Sequence, residues 1–159
     1  MRVLQKLIAC VAAAAALALG ATSATRAFAQ SGNLTATPER IATLTIPPPR
    51  SPADIFLDLY LKAYVPPRKG AVEAVVSIEP AGGGGVEIGR FTVFPAEPFI
   101  VTEPRQQRAY RFDASAAIRT LKPSETAVTV SVALLPLDTK ISPQGAELTL
   151  SKAEFSPRP

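Results

Sequence analysis

The segment Asp54–Tyr64, DIFLDLYLKAY, constrains the fold most, because apolar and polar residues alternate along it. A period of two residues is the period of a β-strand, whose successive side chains point to opposite faces of a sheet. The pattern therefore predicts a strand with one face in a core and a second face that is charged, aromatic and half exposed. The core face comprises Ile55, Leu57, Leu59 and Leu61, and the other face comprises Asp54, Phe56, Asp58, Tyr60 and Lys62.

Further segments have the β-branched composition or the alternation of strands, and turn residues separate them. These segments are Ile41–Ile46, Ala71–Ile78, Val86–Val93, Tyr110–Phe112, Thr126–Leu135 and Glu147–Phe155. The only predicted helix is short, Ala114–Leu121, with Asp113 or Ser115 as its cap. About seven short strands without recurring helices predict an all-β fold, an antiparallel β-sandwich.

Two connections have distinct compositions. Gly82–Gly85 is a run of glycines between strand-like segments, and it predicts a flexible hairpin tip rather than a phosphate-binding loop, which would need a helix after it. Phe94–Gln107 contains Pro95, Pro98 and Pro104 and has no period, which predicts a long, shaped loop between two strands.

The N-terminal segment Met1–Ala29 has the three parts of a secretory signal peptide. Arg2 and Lys6 supply the positive region, Leu7–Gly20 supplies an uncharged apolar stretch, and Ala27–Ala29 has the small-x-small pattern of a cleavage site. The apolar stretch is shorter than the ~20 residues that a membrane-spanning helix needs. We therefore expect cleavage after Ala29, a periplasmic or secreted protein, and no membrane association afterwards. Residues 30–40 are predicted to be a flexible leader and 41–157 a single β-sandwich domain.

Removal of the signal peptide changes the net charge of the chain and the set of side chains that could bind a metal. The chain has 17 basic and 13 acidic residues, and loss of Arg2, Lys6 and Arg26 leaves 14 against 13, which gives no basis for nucleic-acid binding. The chain has no histidine, and its single cysteine, Cys10, lies in the signal. Transition-metal sites and the usual nucleophile–base pairs need these residues, so we expect no cofactor, no metal and no enzymatic activity.

Four motifs together resemble a known family. The first is a Gly-x-Phe strand, Gly89–Phe94 (GRFTVF), and the second is a strand with the sequence YRFD, Tyr110–Asp113. The third is the short helix that follows and ends at Leu121, and the fourth is the strand Val128–Pro136 (VTVSVALLP). This order resembles the C-terminal β-sandwich domain of tyrosinases and polyphenol oxidases. The resemblance covers about residues 53–155, with Asp54–Tyr64 and Leu148–Phe155 in the places of the first and last strands. The motifs are apolar strand patterns, and the copper-binding helical bundle of the family, with its histidines, has no counterpart here.

The resemblance implies a function and a partner. In the family, this sandwich covers the entrance to the copper site, and an apolar or aromatic residue on a loop can plug that entrance. The chain would then be an exported accessory or shielding module for a type-3 copper oxidase, a tyrosinase-like protein. The residues that could make the contact are Phe94 and Phe99 in the proline-rich loop, or Tyr60 and Tyr64 on the polar strand face.

Three alternatives stay open. A periplasmic glycan- or phenol-binding sandwich would use Phe56, Tyr60 and Tyr64 or the aromatic loop for stacking. A purely structural exported protein needs no site. An enzyme would need a convergent site from scattered residues, for example Asp58, Glu97, Arg108 and Tyr110.

Overall fold

The structure is a computed structural model that describes residues 32–49, 55–79, 84–122 and 126–157. The predicted signal peptide, residues 1–29, lies outside the described residues. The described residues form nine strands and one short α-helix, α1 (Ser115–Ile118). The strands are β1 (Thr35–Ala36), β2 (Ala42–Ile46), β3 (Ile55–Val65), β4 (Val72–Glu79), β5 (Val86–Phe91), β6 (Phe99–Ile100), β7 (Arg108–Asp113), β8 (Val128–Pro136) and β9 (Glu147–Pro157).

The strands form two antiparallel sheets, which confirms the predicted all-β sandwich. The first sheet has the order β1-β9-β3, and the far edge of β3 pairs with β7 along its first half and with β6 near its end. The second sheet has the order β2-β8-β4-β5. The seven predicted strands are all present, and the structure adds β1 and β6.

Strand β3 lies at the centre of the first sheet because strands pair with both of its edges. Its pairs with β9 run from Ile55↔Pro157 to Val65↔Glu147. On the opposite edge, Leu59 pairs with Tyr110 and Tyr64 pairs with Phe99. Its predicted core face is confirmed, since Ile55, Leu57, Leu59 and Leu61 are all buried.

The core lies between the two sheets and consists of aliphatic side chains that alternate along each strand. The second sheet contributes Leu44, Val76, Ile78, Val130 and Val132, all of which are fully buried. This apolar burial, at about 25 cal/mol per Å², is the main term that stabilises the fold.

Strand β1 corrects the predicted flexible leader at residues 30–40. Thr35 and Ala36 pair with Thr149 and Leu148 of β9, and Ala36 is fully buried. Beside β1, the N–H of Thr43 donates to the carbonyl of Asn33 at 2.7 Å, and the N–H of Leu150 donates to the carbonyl of Leu34 at 2.8 Å. These bonds join the two sheets along one side of the sandwich. A strand of two residues is too short to show an alternating pattern, and this is why the sequence suggested a leader.

Helix α1 fixes the end of β7 against β3. The carboxylate of Asp113 accepts the N–H of Ser115 at 2.9 Å, so one of the two predicted capping residues binds the first turn. The hydroxyl of Ser115 accepts the N–H of Ile55 at 3.0 Å. The α-helix ends at Ile118, earlier than predicted, although the N–H of Leu121 continues the turn by donating to the Ile118 carbonyl.

The predicted loop Phe94–Gln107 contains two short elements that its sequence did not indicate. Phe99 and Ile100 form β6 on the edge of β3, and Pro104–Gln106 forms a single 3-10 turn. The N–H of Val101 also donates to the carbonyl of Lys62 at 2.7 Å. The loop is therefore attached to the first sheet at its middle, and Phe94 lies before that attachment.

Candidate functional site

Exposed apolar side chains gather at one end of the sandwich, where β3, β5 and β8 finish. Phe94 is 87% exposed and Ile100 is 76% exposed. Phe94 and Leu137 line one cleft together with Gly70, and Ile141 lies beside Gly70. Clustered exposed apolar side chains are typical of contact surfaces. We call this group the apolar end, and its members are Val65, Phe94, Ile100, Leu137 and Ile141.

The part of the loop around Phe94 contacts Arg108 and Tyr110 of β7. The guanidinium of Arg108 donates to the carbonyl of Phe94 at 3.3 Å and lies 4.1 Å from the centre of the Phe99 ring. The hydroxyl of Tyr110 donates to the carbonyl of Thr92 at 3.4 Å. These contacts hold the backbone at Phe94 and at Thr92, two residues before it, and so restrict the position of the Phe94 ring.

A cleft of about 400 Å³ opens beside Phe94, between the two sheets. Phe94 and Leu137 form its rim, and Tyr64, Val72 and Val93 are the buried residues at its base. The turn at Pro66 and Pro67 forms one wall. The walls are mostly apolar, and the volume lies in the range of small-molecule pockets.

Tyr64 lies in the core and not on the exposed face where the sequence placed it. It is 3% exposed, and its ring lies 6.3 Å from that of Phe99. The pairing of β3 with β9 shifts register between Tyr60 and Leu61 and again between Leu61 and Ala63. Such an irregularity turns the strand, so a side chain beyond it no longer follows the alternation of the residues before it. Burial raises the pKa of the Tyr64 hydroxyl above its ordinary value.

Phe99, the second aromatic residue of the predicted contact loop, is half-buried. Its ring lies between Tyr64 and the Arg108 guanidinium. Of the four predicted contact residues, Phe94 alone presents most of its ring to solvent. Phe94, Phe99 and Tyr64 lie at the same end of the sandwich, and Tyr60 lies on the outer face of the first sheet.

The aromatic rings on that outer face are covered by cations. The ammonium of Lys152 lies 4.2 Å from the ring centre of Tyr60, and the guanidinium of Arg111 lies 5.6 Å from that of Phe56. A hydrogen bond to Glu154 raises the pKa of Tyr60. A sugar that stacked on Tyr60 would have to displace the Lys152 ammonium, so this face is less suited to stacking than Phe94 is.

Asp58 is the most buried charged residue on this face. It is 6% exposed, and Arg111 binds both of its carboxylate oxygens, at 2.7 and 3.1 Å. The hydrogen bonds from Arg111 hold the pKa of Asp58 below its ordinary value, against the opposing effect of burial.

The lowered pKa of Asp58 predicts a pH dependence of stability. The charged, paired carboxylate stabilises the folded state fully above about pH 4, the ordinary pKa of an aspartate, and this contribution is lost as the pH falls through the lowered pKa. We expect the free energy of unfolding, measured with urea from neutral to acid pH, to fall less for Asp58→Asn than for the wild type. Glu97→Gln removes an exposed carboxylate and is the matched control. Equal slopes for Asp58→Asn and the wild type would contradict this role of the pair.

The residues named for a convergent enzyme do not form one group. Tyr110 pairs with Leu59 and packs its ring 4.0 Å from that of Phe91, on the inner side of the sheet, whereas Asp58 faces outward. Within the described part of the chain, no three His, Cys, Asp or Glu side chains lie close enough to hold a metal ion. No helix among the described residues is long and apolar enough to cross a membrane.

The chain matches no protein-family model, and it shows no significant similarity to any curated protein. The resemblance to the tyrosinase sandwich therefore depends on the order of its strand motifs alone, and its functional implications are proposals.

Most of the apolar end is not indicated by a pattern in the sequence. Ile100, Leu137 and Ile141 lie in segments whose apolar residues follow no period, so nothing in the sequence assigns them to a face. The sequence does contain one indication of them: large apolar residues inside proline-containing loops are candidates for a contact surface rather than for the core. Their convergence depends on long-range pairing, which a single sequence does not display.

Proposed function

We propose that this chain is a non-catalytic, exported β-sandwich that docks on a partner protein through its apolar end. The observation that carries the proposal is the 87% exposed ring of Phe94 on a loop fixed by Arg108 and Tyr110. Aromatic anchors that enter a partner's pocket commonly dominate binding energy, and a fixed anchor loses little entropy on binding.

The resemblance supports a type-3 copper oxidase as the partner. In that family, a loop residue of the sandwich plugs the entrance to the copper site, and Phe94 has the exposure that such a role requires. Tyr64 lines the cleft beside Phe94, and Phe99 packs against Tyr64, so both would position the loop rather than enter the partner.

The proposal predicts that Phe94→Ala separates binding from stability. Because the ring is mostly in solvent, its loss should change the free energy of unfolding by less than about 0.5 kcal/mol. Loss of an aromatic anchor should weaken the complex by about 2 kcal/mol or more, roughly 30-fold in Kd. The purified protein is mixed with a tyrosinase-like oxidase from the same cell, and the complex is measured by gel filtration and by oxidase rate.

Ile41→Ala is the matched control. Ile41 is also exposed, but it precedes β2 on the side of the sandwich and is not part of the apolar end. It should leave the complex unchanged. No complex with the wild type and no change in oxidase rate would exclude the oxidase as partner. A complex that Phe94→Ala does not weaken would place the docking surface elsewhere.

A further inference from the structure

The outer face of the second sheet differs from that of the first, because its central side chains are short and uncharged. Ser131 lies between Val130 and Val132, both fully buried in the core, so its side chain points outward. The outer face of the first sheet carries long charged side chains such as Arg111 and Lys152, whereas β2 and β8 contain no charged residue. We call the centre of this surface the hydroxyl face, and its members are Thr43, Thr45, Val75, Ser77, Thr129, Ser131 and Ala133.

The hydroxyls of this face lie side by side on three neighbouring strands. Ser131 of β8 pairs with Thr43 of β2 on one side and with Ser77 of β4 on the other. In the next row, Thr129 of β8 pairs with Thr45 of β2. Paired residues of adjacent strands share a face and lie about 5 Å apart, so these hydroxyls form one continuous patch.

The hydroxyls of this patch make no hydrogen bond to the described residues. Elsewhere, the hydroxyl of Thr120 donates to the carbonyl of Ala117 at 2.7 Å, and that of Ser151 donates to the carbonyl of Tyr60 at 3.2 Å. Ser131 is only 6% exposed, yet its hydroxyl has no such partner and its oxygen is not sealed from solvent. A nearly buried hydroxyl without a partner gains a hydrogen bond when a second polar surface covers it.

The charged residues of the four strands lie at the border of the hydroxyl face. Arg90 of β5 binds Glu87 at 2.7 Å and Glu73 at 3.1 Å, and Glu79 is the last residue of β4. A centre depleted of charge inside a charged rim is the distribution found at contacts between proteins. Because the rim has three acids and one base, two such rims repel each other where they meet directly.

A second copy of the same face has the chemistry that this patch requires. A hydroxyl both donates and accepts hydrogen bonds, so two identical hydroxyl faces can satisfy each other. Short side chains lose little rotamer freedom and allow two sheets to approach to the usual face-to-face distance of about 10 Å. In a contact centred on β8, β2 of each copy lies opposite β4 of the other, and the charged strand β5 stays outside the contact.

We propose that the hydroxyl face is a contact between two copies of this chain, related by a twofold axis that runs parallel to β8 between the two sheets. Three strands and four residue rows give a patch of about 15 Å by 20 Å, a few hundred Å² on each copy. This area is below the ~800 Å² per partner of a stable complex, so we expect a weak dimer with a Kd of about 0.1–1 mM. The contact does not involve the apolar end and does not depend on the proposed docking.

The test measures self-association of the purified chain between about 10 μM and 1 mM, a range that reaches such a Kd. The sedimentation coefficient should rise with concentration. Backbone amide shifts that change on dilution in NMR spectra should centre on Thr43, Ser77 and Ser131. Sedimentation that does not change up to about 1 mM, or dilution shifts centred on the outer face of the first sheet, would overturn the proposal.

Thr129→Lys places an ammonium in the middle of the contact and should weaken the dimer about 10-fold or more. Ala109→Lys is the matched control, because Ala109 is exposed on the outer face of the first sheet, and it should leave the dimer unchanged. Ser77→Lys repeats the test on β4, and a thermal melt of each variant shows that the fold is retained. An unchanged Kd in a folded Thr129→Lys or Ser77→Lys variant would contradict the contact.

Phe94→Ala separates this contact from the proposed docking. It should leave the dimer unchanged, and a loss of self-association in this variant would place the contact at the apolar end instead. A chain that dimerises through the hydroxyl face but binds no oxidase supports the contact and removes the proposed partner. A chain that stays monomeric but binds the oxidase overturns the contact and leaves the docking intact.

Discussion

Replacing Leu59 by alanine is expected to lower the free energy of unfolding by about 2–5 kcal/mol. Leu59 has no exposed surface and lies in the middle of β3, between Tyr110 of β7 and Ala153 of β9. Because both edges of β3 are paired, the neighbouring backbone has little freedom to move into the cavity, and the cost should lie toward the upper part of this range. Urea denaturation of the two proteins at neutral pH measures the difference.

Leu137→Ala is the control for the same chemical change. Leu137 is 55% exposed and belongs to the apolar end. Its truncation should cost less than about 0.5 kcal/mol. If the two substitutions had the same effect, the core would not be centred on β3, and the assignment of the apolar end as surface would be wrong.

Gly89→Ala is expected to destabilise the protein by about 1–3 kcal/mol through overpacking. A Cβ atom on Gly89 would lie 2.6 Å from Cδ1 of Phe112. The Phe112 ring is buried, and its centre lies 5.9 Å from that of Phe91, so it cannot move aside without disturbing a second ring. The strand β5 therefore approaches β7 closely at a point where only glycine fits.

A double-mutant cycle tests the cause of this effect. In Gly89→Ala/Phe112→Leu the smaller side chain makes room, so the cost of the alanine should fall compared with its cost in the wild type. Gly85→Ala is the matched control, because the nearest atom there is Cγ of Glu79, a flexible side chain that can move. Additive effects of the two substitutions would show that the Phe112 ring is not the obstacle.

The sequence predicted the sheets well where the alternating pattern was long. The pattern of β3 identified both its buried face and the placement of Asp58 and Tyr60 on the other side. β8 and β9 were recognised from their β-branched or alternating residues. Burial on one side of a strand imposes a period of two, and that period is visible without any tertiary information.

The candidate site was harder to predict, for physical reasons that differ between residues. Tyr64 follows an irregularity in β3, so counting residues placed it on the wrong face. The strands β1 and β6 have two residues each, and their pairing is set by Leu148 and Tyr64 far away in the sequence. Phe94 was selected because it lies among prolines, but its exposure became clear only from the position of the loop.

The pairing of β9 with β1 and β3 affects how the chain can fold as it emerges from a ribosome or a translocation pore. Thr35 meets Thr149, and Ile55 meets Pro157, so the first sheet joins segments about 100 residues apart in the sequence. The first sheet therefore cannot form its central ladder until β9 has emerged. Before β9 has emerged, a partly emerged chain can form the local pair of β4 with β5, but β3 lacks one of its two main neighbours.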